Sequence, residues 1–97
     1  MAKIVWSSKA LFDKKEVLEF WISKNKSNVY SKKLNLLIEQ KLKQISENPD
    51  SGIQTNIENI RAILVENYYI HYSIKPETIR ILRIWDARQN PNILLYK

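Results

Sequence analysis

Hydrophobic residues recur along this chain in two rhythms. Lys3-Ile4-Val5-Trp6 is a short β-prone run, and Ser7 or Ser8 behind it can cap a helix by accepting an amide hydrogen bond. Leu11, Val17, Leu18, Trp21 and Ile22 then return at helical spacing, while Lys14, Lys15, Glu16 and Glu19 lie largely elsewhere on the wheel. That predicts a first helix ending near Asn25. Ser27 or Asn28 can cap a second one, whose buried stripe is Tyr30, Leu34, Leu37, Ile38, Leu42 and Ile45. Asn48-Pro49 closes it, because the residue before a proline is pushed out of the helical region. The short link at Lys24–Ser27 makes the two helices antiparallel neighbours.

Beyond Gly52, in a loop over Asp50–Thr55, the rhythm changes from helical to alternating. Strands are predicted at Ile60–Val65, Tyr68–Ile74 and Thr78–Trp85, joined by turns at Glu66-Asn67 and Lys75-Pro76-Glu77. Asn67 is the residue expected to take positive φ in the first turn. Alternation puts Tyr68, Ile70, Tyr72 and Ile74 on the core face of the middle strand, and Tyr69, His71 and Ser73 on the open face. It places Arg61 with Ile63 and Val65, and Arg83 with Ile79, Ile81 and Trp85; one bulge would reverse that phase for half a strand. The fold class is therefore α+β, in the order β-α-α-β-β-β, with a helical hairpin packed on one face of a small, mainly antiparallel sheet.

The 97 residues make one domain, spanning residues 1–97. With 44% hydrophobic and 27% charged residues the chain is set to fold rather than stay disordered. It has no cysteine, so disulfides and thiolate metal sites are excluded. No apolar run approaches the roughly 18 residues of a membrane span, and the start reads as a strand rather than a signal peptide. No membrane association and a cytoplasmic location are expected. The formal charge of +6 would attract nucleic acid, acidic proteins and anionic lipids alike, and a merely solubilising lysine surface gives the same value.

Candidate chemistry is sparse. A phosphate-cradling loop needs glycines that the chain lacks, and one histidine without cysteine makes no zinc site, so neither cofactor nor metal is expected. A serine triad built on His71 lacks any GxSxG-type turn. Metal-free RNA cleavage needs a base for the 2′-hydroxyl, cations for the developing phosphorane charge and an acid for the leaving oxygen. His71, Tyr69, Arg61, Arg83, Arg88 and Tyr96 are suitable side-chain types. Each also has a structural reading: His71 as a satisfied strand histidine, Arg61 and Arg83 as partners of Glu58, Glu77 or Asp86. Tyr68 and Tyr72 read as core, and Trp6, Trp21 and Trp85 as packing residues.

The KIVWS opening, the helical hairpin, the run RAILVENYYIHYSI over residues 61–74 and the run ILRIWDARQNP over residues 81–91 together resemble the RelE/ParE superfamily of toxins from bacterial type II toxin–antitoxin systems. The resemblance covers nearly the whole chain. It implies a growth-inhibiting toxin in a hetero-oligomer with a cognate antitoxin, whose flexible C-terminal segment folds onto a partly apolar, basic surface.

The superfamily divides by target. RelE-like and YoeB-like members are ribosome-dependent mRNA endoribonucleases, and ParE-like members poison DNA gyrase. The ribonucleases usually carry an arginine just before the core of the middle strand, where this chain has Tyr69, and a neutral phenol supplies no permanent charge to a phosphorane. RelE places lysines on the preceding strand, and Arg61-Ala62-Ile63-Leu64-Val65 has none. YoeB ends in a His-Tyr pair; this chain ends Leu95-Tyr96-Lys97. Arg88 matches a basic position of both branches. The resemblance thus leans to a ParE-like toxin with gyrase as partner, in which Arg61, Tyr69, His71, Arg83 and Arg88 bind antitoxin or target. The alternative is a ribonuclease acting on the ribosome and mRNA, with His71 or Tyr96 moving protons and Arg61, Arg83 and Arg88 clamping phosphate. A general nucleic-acid-binding module fits less well, because no recognition-helix or RNP-type signature is present.

Overall fold

A computed structural model describes residues 2–88. The chain runs β1 (Lys3–Trp6), α1 (Ser8–Asn25), α2 (Val29–Glu47), a 3₁₀ turn (Pro49–Ser51), β2 (Ile53–Gln54), β3 (Ile60–Val65), β4 (Tyr68–Ile74) and β5 (Thr78–Asp86). The expected α+β order holds, with a two-residue strand added inside the loop around Gly52. The sheet order is β1-β5-β4-β3-β2. β1 lies parallel to β5, and every other pair is antiparallel.

Local chemistry sets each boundary. Ser7 caps α1, its Oγ accepting from the Ala10 amide at 3.0 Å while donating to the Leu82 carbonyl at 3.0 Å. The helix ends at Lys26, which takes a left-handed conformation (φ 51°) and returns its N–H to the Ile22 carbonyl. α2 starts at Asn28 without a side-chain cap from that residue; Ser27 Oγ instead accepts from the Val29 amide at 3.3 Å. In the β3–β4 turn it is Glu66, not Asn67, that adopts positive φ (54°). The Asn67 carbonyl is engaged elsewhere, accepting from the Ala87 amide at 2.8 Å.

The core lies between α2 and the sheet. Leu34, Ile38, Leu42 and Ile45 meet Ile63, Val65, Ile70, Tyr72, Ile79, Ile81 and Ile84. α1 contributes less than its periodicity suggests. Ala10 is its one fully buried apolar residue, Val17 and Trp21 are half-buried, and Leu11 and Ile22 stay 51% and 42% exposed. The helix leans on the sheet through Ala10, Asp13, Val17 and Trp21, one stripe at i, i+3, i+7 and i+11. Leu11 and Ile22 lie about 100° round the wheel from it.

One irregularity decides where the strand residues point. Tyr72 opposes Ile81 and His71 opposes Arg83, so Leu82 is an extra residue in β5. Before the bulge Ile79 and Ile81 enter the core; after it Ile84 does. Arg83 and Trp85 are turned to the other face, so the strict alternation that grouped Arg83 with Ile79 and Ile81 does not hold. The bulge sits where β1 stops, and Ser7 secures the Leu82 carbonyl there.

Candidate functional site

The face of the sheet away from the helices carries a compact aromatic group. Register places Tyr69 opposite Trp85 and Leu64, and His71 opposite Arg83 and Ala62. The His71 ring lies 4.8 Å from Trp85 and 6.5 Å from Tyr69, centroid to centroid. His71 occupies the expected face, yet it is fully buried rather than open to solvent. β4 is the central strand, and the large rings of Tyr69 and Trp85 flank the imidazole. Tyr69 and Trp85 themselves are half-buried, while Leu64 and Ile53 on the same face are 46% and 51% exposed.

The arginines do not form one cluster. Arg83 meets Asp13 of α1 through two hydrogen bonds, Nε to Oδ2 at 2.8 Å and Nη2 to Oδ1 at 3.0 Å. Its guanidinium also lies 5.1 Å from the Trp85 ring. Asp13 Oδ2 accepts in addition from the Ile84 amide at 3.0 Å, on the edge of β5 that β1 leaves uncovered. Arg88 pairs with Asp86, Nε to Oδ1 at 3.2 Å and Nη2 to Oδ2 at 3.1 Å. Those bonds hold the Asp86 carboxyl below its usual range and raise Arg88. Arg61 points to the helix side with its neighbour Tyr72, donating to the Gly52 carbonyl at 2.7 Å and lying 3.6 Å from Asp50. The partners expected for Arg61 and Arg83 among Glu58, Glu77 and Asp86 are replaced by Asp50 and Asp13.

Tyr72 organises the loop that Arg61 touches. Its hydroxyl donates to the Pro49 carbonyl at 2.7 Å and accepts from the Gly52 amide at 2.9 Å. Burial raises its pKa, against the opposing pull of the Gly52 amide and Arg61. Gly52 is required by space rather than by φ: a Cβ there would sit 2.6 Å from the Tyr72 oxygen. Beside the bulged half of β5, an open cleft of about 380 Å³ is lined by Glu16, Val17, Phe20, Ile84, Trp85 and Asp86, with Asp13, Tyr68 and Arg88.

Of the residues singled out from sequence, the fold brings together Tyr69, His71 and Arg83, leaves Arg88 at the cleft rim and puts Arg61 on the opposite face. Tyr96 lies outside the described residues. Asp13 and Trp85 join the site unannounced. Trp85 could have been found from its β-register opposite Tyr69; Asp13 had no sequence signal, since its partner is 70 positions away. Among the described residues no group of three or more metal-ligating side chains converges, and no helix is long and apolar enough to cross a membrane. The arrangement offers a polar–aromatic surface in which Arg83 and Arg88 are each already neutralised by a bidentate carboxylate.

Comparisons with known proteins follow the same lines. The profile of the family described as ParE toxin of type II toxin-antitoxin system, parDE, matches residues 4–91. Among solved structures, one from the chromosomal ParDE toxin–antitoxin system of P. aeruginosa superposes with a TM-score of 0.75 at 20% identity, covering 89% of this chain and 96% of that one. The YoeB dimer from Staphylococcus aureus gives a TM-score of 0.60 at 19% identity, over 84% of this chain and 92% of that one. No curated protein matches the sequence.

Proposed function

Since the chain belongs to the ParE toxin family of type II toxin–antitoxin systems, we propose that it arrests growth in the cytoplasm by trapping DNA gyrase, and that a cognate antitoxin holds it inactive in a hetero-oligomer. The observation that carries the gyrase reading is the dispersal of the arginines. A ribonuclease transition state needs cations converging on one phosphorane. Here Arg61 faces the helices, and Arg83 and Arg88 are each held by a carboxylate. His71 is buried between rings, a poor position for taking a proton from a substrate hydroxyl. The antitoxin segment is assigned to the open sheet face, where Tyr69, Trp85, Leu64 and Ile53 offer aromatic and apolar anchors and the Asp86-paired Arg88 stands at the rim.

Purified gyrase tests the target. The protein should inhibit supercoiling, accumulate cleaved DNA complexes and be silenced by equimolar antitoxin; full gyrase activity at high toxin excess rejects the assignment. The ribonuclease alternative is read in parallel by toeprinting translating ribosomes, where A-site cuts would replace the gyrase reading. Substituting Tyr69→Ala and Leu64→Ser should weaken antitoxin binding, and unchanged affinity for both would move the antitoxin to another face.

A further inference from the structure

Between Glu19 and Glu39 the chain carries no acidic residue, yet it holds Lys24, Lys26, Lys32 and Lys33. The structure folds that stretch into the tip of the helical hairpin: the last turn of α1, the left-handed Lys26 and the first turns of α2. Among the described residues no ion pair engages Lys26, Lys32 or Lys33. Lys24 rests over apolar rings, its Nζ 5.7 Å from the Phe20 centroid and 5.5 Å from Trp21.

Apolar side chains share this surface. Val29 is 74% exposed and Leu36 58%, both on the outer stripe of α2 with Lys32 and Lys33 between them at i+3 and i+4. Ile22 adds 42% exposure from the last turn of α1. The core does not ask for this, because Leu34, Ile38 and Ile45 already fill the inner stripe. Helix physics opposes it as well. The first turn of α2 has no acidic residue and Asn28 gives no side-chain cap, so two lysines sit close to the positive end of the helix dipole. A surface kept only for solubility would intersperse both signs and few large apolar groups.

We infer that the hairpin tip is the side of the toxin that meets its target, docking an acidic protein surface that also presents apolar side chains. Phosphate of nucleic acid is the lesser fit, because it offers nothing for Val29, Leu36 and Ile22 to bury against. The inference rests on the gyrase reading and adds where on this chain that contact is made. It also separates the two partners: antitoxin on the open sheet face, target at the hairpin tip.

The test compares Lys32→Glu/Lys33→Glu, Lys32→Arg/Lys33→Arg and Val29→Ser with the parent chain. Glutamates near the start of α2 favour the helix, so loss of folding is not the expected outcome, and circular dichroism checks it. The double glutamate variant should need at least about tenfold more protein for half-inhibition of supercoiling, as expected when charged contacts are reversed. Val29→Ser should weaken inhibition in the same direction, the arginine variant should retain it, and antitoxin affinity should stay within about twofold for all three. Equal potency of the glutamate variant and the parent overturns the inference while leaving gyrase as target. A parallel loss of antitoxin affinity overturns it by making the tip an antitoxin surface. Binding of a short DNA duplex, abolished by the glutamates while Val29→Ser is silent, overturns it in favour of phosphate. A parent chain inert on gyrase removes the target reading and the inference together.

Discussion

Removing Asp13 should cost the fold as much as truncating a buried core residue. Its carboxylate takes both hydrogen bonds from Arg83 and the one from the Ile84 amide, joining α1 to the edge of β5 left open by β1. The Asp13 side chain is 11% exposed and that of Arg83 30%. Asp13→Ala leaves a buried amide without its acceptor, about 1–3 kcal/mol, and strips a guanidinium of its counter-charge. Breaking a fully buried pair costs about 3–5 kcal/mol, but Arg83 can recover some hydration, so the total is set at about 3 kcal/mol. Asp13→Asn keeps an oxygen for Ile84 and should lose about half as much. Arg83→Met leaves Asp13 its backbone bond and should cost about 1–2 kcal/mol.

Urea unfolding followed by tryptophan fluorescence gives these values from the midpoint at constant slope. A chain of this size has about 5–15 kcal/mol in all, so the Ala variant should melt at least about 10 °C lower. The double variant should cost less than the sum of the singles, with a coupling of about 1.5 kcal/mol that persists in high salt. A loss below about 0.5 kcal/mol for Asp13→Ala, or a coupling near zero, would refute the clasp as a stabilising contact.

Tyr72→Phe removes an acceptor from the Gly52 amide and a donor to Pro49 and should cost about 2 kcal/mol by the same unfolding assay. Gly52→Ala should cost about 1–3 kcal/mol from crowding, less when combined with Tyr72→Phe because the nearest atom, the Tyr72 oxygen, is then gone; equal costs in both backgrounds would mean that clash is relieved elsewhere. Because burial raises the folded pKa of Tyr72, its contribution is fully present below the unfolded value of about 10 and is lost as pH rises through the folded value. Stability should therefore fall above about pH 10, more steeply for the parent than for the Tyr72→Phe variant. Asp86→Asn should leave the urea midpoint almost where it is, because the Arg88 side chain is 56% exposed and solvent screens the pair; a clear drop would show that this pair also braces the cleft.

Much of the fold was legible because its signals are local. Both helices and the three long strands begin and end where period, caps and prolines place them, to within a residue at the end of β5. What was not legible depends on distant partners. Ile53-Gln54 pairs only because β3 offers an edge, and two residues carry no periodicity. Leu82 bulges where β1 runs out and Ser7 catches its carbonyl, a contact 75 positions away. The exposure of Leu11 and Ile22 follows from how α1 leans, which propensity does not encode. At the site, the face shared by Tyr69 and His71 was readable from alternation. The burial of His71 was not, because it comes from rings on either side, one of them on β5.

The bulge also links fold to function. Unbroken alternation would aim Arg83 to the helix side of the sheet with Ile79 and Ile81, the side on which Arg61 already lies. A guanidinium there would stand in the apolar core. The extra residue Leu82 turns Arg83 outward, lets Ile84 replace it in the core, and brings the guanidinium within reach of Asp13 and Trp85. The same residue that rescues the core therefore also separates Arg83 from Arg61 by the thickness of the sheet. Two cations divided in this way cannot stabilise one phosphorane, whereas a surface that only has to be recognised loses nothing by the separation.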